Sequence, residues 1–232
     1  ETWLSREKWT VREWWIVGPY ENRDHAGCYG SFPPEENPSE KASYGDKQWH
    51  RYVSPAMAVD LYSALGMPIG ADGTAYAMPY VYAPAARRVQ LRVAANNNAH
   101  LWVNGKKLLD WHLHPWYYEM REAFALTREA ELKAGWNQVM VKVSRFRRGN
   151  FGFMVRITDG DGNNLDELTV SPDRAPRAPG STYHTLWYRV AVPATAVAAR
   201  RPKFSKPVEV FYNGAAVVRG AGGAVRLPAA AE

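Results

Sequence analysis

The chain has 232 residues, 46% of them hydrophobic, with a net charge of +6 and a single cysteine. That length supports one substantial core, or one core with a small appendage, and excludes a disordered chain. One cysteine, Cys28, excludes an internal disulfide and any zinc site built on two or more thiolates, and it reads as a small buried filler. No apolar run approaches the roughly 18 residues that span a bilayer. Residues Glu1 to Trp15 are charged and Trp-rich instead of forming the apolar core of a signal peptide. The chain is therefore cytoplasmic, or its signal has already been removed; the second is the reading taken here, which makes it secreted or periplasmic. The basic residues are scattered, with only Arg145, Arg147 and Arg148 tightly grouped, so no nucleic-acid partner is expected.

In chain order, Gly18-Pro19 reads as the end of a strand. The loop Glu21 to Asp46 is long, polar and punctuated by Pro33, Pro34 and Pro38. Such loops are functional or covering segments. It reads as a cover for a sheet edge, anchored at its far end by Tyr44 and Trp49. The alternative is a second polar binding surface from Asn22, Arg23, Asp24 and His25. Val59 to Leu65 fits a helical turn or a short strand. From Thr74 onward period-two alternation dominates: Tyr76, Met78, Tyr80 and Tyr82 share one face, with Ala75, Ala77 and Val81 on the other. Val89, Leu91 and Val93 repeat the pattern, followed by a turn at Asn96 to Asn98. His100 to Val103 and Lys106 to Asp110 flank Asn104-Gly105, the strongest short hairpin signal because a type I′ turn needs positive φ at both central positions.

Met120 to Glu131 is ambiguous between a strand and a short helix. Leu132 to Asn137 reads as a turn feeding a strand with Val139, Val141 and Val143 on one face and Gln138, Met140 and Lys142 on the other. A further strand turns Phe151, Phe153, Val155 and Ile157 inward and ends at Asp159 to Asn164. Many short strands separated by turn residues predict an all-β chain, an antiparallel β-sandwich of the jelly-roll kind over residues 1–170. Residues 171–180, with Pro172, Pro176 and Pro179, read as a connection. Residues 181–232 form a short β-rich C-terminal extension that packs on the sandwich or on a partner. Within it Tyr183 to Val192 and Val208 to Tyr212 read as strands, and Asn213-Gly214 predicts a second hairpin.

Two stretches carry a family resemblance. Trp14-Trp15-Ile16-Val17-Gly18-Pro19-Tyr20 resembles the opening strand of galactose-binding-like β-sandwich domains that accompany bacterial carbohydrate-active enzymes. Ala99 to Lys107, with its Trp102-Val103-Asn104-Gly105-Lys106 hairpin, followed by Leu132 to Val143 with its L-x-x-G-x-N turn, is similar to the sugar-binding jelly roll of family-two glycoside hydrolases. The resemblance covers Trp14 to Val170. It implies a galactose-binding-like fold in which these motif residues mainly hold the scaffold, while ligand selectivity lies in loops that differ between members. Many such domains are spacers, so fold does not settle activity.

No nucleotide-binding glycine loop, G-x-S-x-G elbow or H-E-x-x-H sequence is present, and no catalytic residue or cofactor is assigned. The adjacent carboxylates Glu35-Glu36 and Asp166-Glu167 read as solvated surface charge. The densest unusual stretch is Asp110 to Glu119. A sugar site needs a flat ring for the C–H face of a pyranose and fixed hydrogen-bonding groups for its hydroxyls. Trp111, Trp116 and Tyr118 are the expected rings, and Asp110, His112, His114 and Glu119 the polar groups of the ligand-binding set. The alternative is that these rings plug the end of the sandwich. His112 and His114 would share a face of an extended segment and could reach a metal with Asp110 or His100. No third ligand is visible from sequence, so no metal is assigned. Asp159 to Asn164 has the oxygen-rich look of a calcium loop, but Val170 stands where the closing bidentate Glu belongs, so a β-turn is expected. Such folds often carry a structural calcium elsewhere, and the sequence leaves room for one.

The expected function is a non-catalytic carbohydrate-binding or accessory module of an extracellular carbohydrate-active protein, with carbohydrate or a neighbouring domain as partner. The alternative is a structural or assembly subunit that docks onto another protein without binding glycan.

Overall fold

Alternation of side chains along a strand sends every second residue to the same face, so an antiparallel sheet with one apolar face closes when a second such face meets it. This is the arrangement in the computed structural model, which describes residues 10–95, 98–112, 126–147 and 149–174, together with the strand pieces 198–200, 211–212, 215–216 and 224–226. By contacts the chain divides into Glu1–Leu186 and Trp187–Glu232.

The first unit contains strands β1 (Glu13–Tyr20), β2 (Ser43–Tyr44), β3 (Lys47–Gln48), β4 (His50–Val53), β5 (Val59–Asp60), β6 (Gly73–Met78) and β7 (Tyr80–Ala83). It continues with β8 (Arg87–Ala95), β9 (Asn98–Val103), β10 (Lys106–Trp111), β11 (Leu126–Leu132), β12 (Gly135–Arg145), β13 (Gly152–Thr158) and β14 (Thr169–Ser171). The larger sheet runs β10-β9-β12-β6-β1-β4, with β7 pairing the first half of β12 and β14 pairing β7. The smaller sheet runs β11-β8-β13-β5. All pairings are antiparallel.

Between the sheets lie Trp14, Ile16, Ala75, Ala77, Leu101, Val139, Val141 and Val143 from the larger sheet, against Val89, Leu91, Val93, Phe153, Val155 and Ile157 from the smaller. Trp14 meets Phe153 edge to face at 4.9 Å. Each buried Val, Leu, Ile or Phe of this set contributes about 1.5–3 kcal/mol. The antiparallel sandwich expected from the alternating pattern is therefore the fold.

Two local expectations are corrected and one open alternative is resolved. Gly18-Pro19 does not end the first strand. It lies inside β1, where the register to β6 shifts between Val17 and Tyr20 and Gly18 takes φ 147°. A Cβ there would meet the Thr74 carbonyl at 3.0 Å, so the close approach and the positive φ both disfavour a side chain. Val59 to Leu65 is both alternatives in turn: β5, then a short helix Leu61–Leu65 capped by Asp60, whose carboxylate accepts from the Tyr62 N–H. The segment after Tyr20 does not cover a sheet edge. It forms a 3-10 turn at Arg23–His25, short helices Ala26–Tyr29 and Pro33–Glu36 and the β2–β3 hairpin, and lies across the outer face of the larger sheet.

Two motifs meet through Asn137, which is fully buried. Its side-chain amide donates to the carbonyls of Lys133 and Gly135, and its Oδ1 accepts from the Lys133 N–H and from Asn104 Nδ2. Asn104 Oδ1 in turn accepts from the Gln138 N–H. The β9–β10 turn, with Asn104 at φ 49° and Gly105 at φ 81°, is thereby tied to the turn that starts β12.

The Asp159 loop is a turn whose carboxylate accepts from the N–H groups of Asp161 and Asn163 and from Asn163 Nδ2, which holds Asp159 below its usual pKa. Arg145, expected in a basic group, is buried and donates to Asp72 and to the Gly149 carbonyl, whereas Arg148 lies outside the described residues. β14 and the residues after it run into the expected connection: Trp15 donates to the Pro172 carbonyl, and Arg51 pairs with Asp173. In the second unit Phe211–Tyr212 pairs with Ala215–Ala216 across Asn213-Gly214, and Ala198–Arg200 pairs with Ala224–Arg226. Tyr183 to Val192 lies outside the described residues.

Candidate functional site

The outer face of the larger sheet is unlike an ordinary solvated face. Residues directly opposite on neighbouring strands project to the same side. The register places Asp110 opposite His100, His100 opposite Lys142, and Lys142 opposite Tyr76, so one row crosses β10, β9, β12 and β6. The next row is Asn98, Ser144 and Thr74, with Thr74 Oγ1 and Ser144 Oγ 2.8 Å apart. An apolar band of Trp102, Met140, Met78 and Tyr80 lies on the other side.

The covering segment closes over these rows with polar groups of its own. Glu35 accepts from Tyr76 OH at 2.6 Å and from Lys142 Nζ at 3.0 Å, and Lys142 also donates to the Gly30 carbonyl. Ser144 donates to the Gly27 carbonyl, and Asn98 Nδ2 to Cys28 Sγ at 2.7 Å. Cys28 is buried as expected, but among polar partners, and burial pushes its thiol up. Burial lowers the Lys142 pKa against the opposing pull of Glu35. Burial alone would raise Glu35, yet the bonds from Tyr76 and Lys142 outweigh it and hold the carboxyl below its usual range. Glu35 is thus not solvated surface charge; its side chain is 12% exposed and ion-paired. Asn22 is likewise buried, donating to the Arg145 carbonyl, so the polar surface expected of residues 22–25 loses that member.

At the β9–β10 edge the row comes into the open. Asp110 is half-exposed, with Oδ1 3.1 Å from His100 Nδ1 and 2.9 Å from His112 Nε2, and Oδ2 3.6 Å from Lys107 Nζ. His100 is the buried member, stacked near Trp102 with ring centroids 5.9 Å apart. Burial, with Lys142 nearby, pushes its pKa down to about 4, so the ring is neutral at pH 7 and its approach to Asp110 is not an ion pair. Tyr29, from the cover, stacks on His112 at 4.8 Å and is 73% exposed.

Of the expected ligand set, Asp110 and His112 come together here. Trp111, one residue out of phase with Asp110, packs partly buried against the inter-sheet core. His114, Trp116, Tyr118 and Glu119 lie outside the described residues. Sequence reading missed Tyr29 and Lys107 in this patch. Lys107 stood in the quoted hairpin, three residues before Asp110, whereas nothing in the sequence brings Tyr29 to His112.

No helix among the described residues is long and apolar enough to cross a membrane. No family model and no curated protein matches the sequence. Among solved structures, the chain is similar to an anti-sigma factor domain-containing protein from Clostridium clariflavum at 9% identity and TM-score 0.41, covering 75% of this chain and 50% of that one. It is also similar to a β-glucosidase from Kluyveromyces marxianus at 12% identity and TM-score 0.39, covering 64% of this chain and 16% of that one. A third likeness is to a glycosyl hydrolase family 2 member from Bacteroides cellulosilyticus at 16% identity and TM-score 0.37, covering 65% of this chain and 20% of that one. The chain therefore spans half or less of the length of each of these proteins. The strand order and the two facing apolar surfaces, not these distant likenesses, establish the β-sandwich.

Proposed function

We propose that this chain is a non-catalytic accessory module of a secreted or periplasmic carbohydrate-active protein, and that it binds glycan at the open β9–β10 edge of its larger sheet. The observation that carries this reading is the exposed Tyr29 ring, held on His112 beside the Asp110 carboxylate and the Lys107 ammonium. A flat ring suits the C–H face of a sugar, and a fixed carboxylate and ammonium suit its hydroxyls. Tyr29, Lys107, Asp110 and His112 form the proposed contact set.

Affinity electrophoresis through gels containing soluble polysaccharides tests the proposal. The wild-type chain is expected to be retarded by at least one polysaccharide, and Tyr29→Ala and Asp110→Ala each to lose most of that retardation with little change in melting temperature, since Tyr29 is largely in solvent and Asp110 half-exposed. No retardation across a broad panel, with the chain instead co-purifying in a larger complex, would favour the assembly subunit. Turnover of chromogenic glycosides by the purified chain would overturn the non-catalytic part. Cell fractionation tests the exported location.

A further inference from the structure

The same edge holds an arrangement that shares Asp110 and His112 with the proposed glycan contacts but does not depend on glycan binding. His100, Asp110 and His112 bring three ligand atoms within 4.8 Å of one another. Around a tetrahedral ion with bonds of about 2.0–2.1 Å, ligand atoms stand roughly 3.3 Å apart. The observed separations from Asp110 Oδ1, 3.1 Å to His100 Nδ1 and 2.9 Å to His112 Nε2, are close to that spacing.

His100 supplies an independent observation. Its side chain is 4% exposed, and neither ring nitrogen has a hydrogen-bond partner. A buried imidazole normally satisfies both nitrogens, one as donor and one as acceptor. Here the ring is placed on β9 by the sheet and stacks near Trp102, with Nδ1 3.1 Å from the carboxylate across the hairpin but without a hydrogen bond to it.

The charges around the cluster permit a cation. Lys142, the buried neighbour of His100, is paired with Glu35, and Lys107 is half-exposed and can swing away from Asp110. His112 and Asp110 both reach solvent, which leaves an entry path.

We propose that His100 Nδ1, Asp110 and His112 Nε2 bind a divalent first-row transition ion of the zinc type. Two imidazoles and one carboxylate suit zinc, nickel or copper; calcium takes six to eight oxygens and does not fit. Three protein ligands leave a coordination position open toward solvent.

The test uses the tag-free full chain, stripped with EDTA and titrated with Zn²⁺ by calorimetry and with Co²⁺ by visible absorption. One equivalent of Zn²⁺ is expected to bind saturably, Co²⁺ to develop a visible band, and Asp110→Asn and His112→Ala each to weaken Zn²⁺ at least tenfold. Lys107→Ala is expected to leave binding unchanged or tighten it. Absence of saturable binding, or affinity indifferent to both Asp110→Asn and His112→Ala, would overturn the site. Running the polysaccharide gels in EDTA separates the two proposals: retardation that persists there supports glycan binding whatever the metal result, and metal binding without retardation leaves the ion site standing alone.

Discussion

Lys142 sits at a strand position where a buried ammonium is costly, and its side chain is only 2% exposed. Glu35 makes that tolerable by accepting its charge together with the Tyr76 hydroxyl. Removing one member of a buried pair costs about 3–5 kcal/mol, because the other is left uncompensated. Glu35→Gln is therefore expected to lower the unfolding free energy by that amount in urea titrations. The double variant Glu35→Gln/Lys142→Met should recover most of the loss, since replacing both charges removes the uncompensated ion. Glu35 has its pKa lowered below 4.5 in the folded state, so on acidification the unfolded chain takes up the proton first. Its contribution is full above pH 4.5 and is lost as pH falls through the lowered folded value. The acid-side drop in stability should accordingly be shallower in Glu35→Gln. Asn137 is the second residue on which much depends: Asn137→Ala leaves the Lys133 N–H and two carbonyls without their partner. A loss of about 2–3 kcal/mol is expected by the same titration.

At the scale of elements, turns and close approaches set where strands begin and which ones pair. Gly135 opens β12 at φ 89° with open space around it, so Gly135→Ala meets only the backbone penalty, about 1–2 kcal/mol. Gly152 is the contrasting case. A Cβ there would stand 2.5 Å from the Val59 carbonyl, inside the β5–β13 pairing. Gly152→Ala is expected to cost at least about 1–3 kcal/mol and to speed hydrogen exchange at Leu61, whose N–H donates to the Phe151 carbonyl beside that pairing. The hairpin at Asn104-Gly105 and the turn into β12 were legible because both rest on local backbone preference. That they are joined through Asn104 and Asn137 was not, since the bond spans 33 positions.

For the first unit as a whole, the larger sheet has an apolar layer on each face: the inter-sheet core on one, and on the other the Tyr76, Met78, Trp102 and Met140 band beneath residues 21–49. β12 lies in the middle of that sheet and is expected to exchange its amides only on global unfolding, while the cover, held by short helices and scattered side-chain bonds, opens at lower free energy. Mass-resolved hydrogen exchange checks this ordering. Sequence alone determined that strands would form and which of their side chains would point together; period two is a local property of the chain. It also marked Asp110 to Glu119 as the segment to watch, though not Tyr29. Tertiary structure alone decided that the Glu21 to Asp46 segment covers a face, that Glu35 meets Lys142 across 107 positions, and that His100 is left buried without a hydrogen bond beside Asp110. Those outcomes depend on non-local register and on where a loop comes to rest, and neither is encoded in the alternation of neighbouring residues.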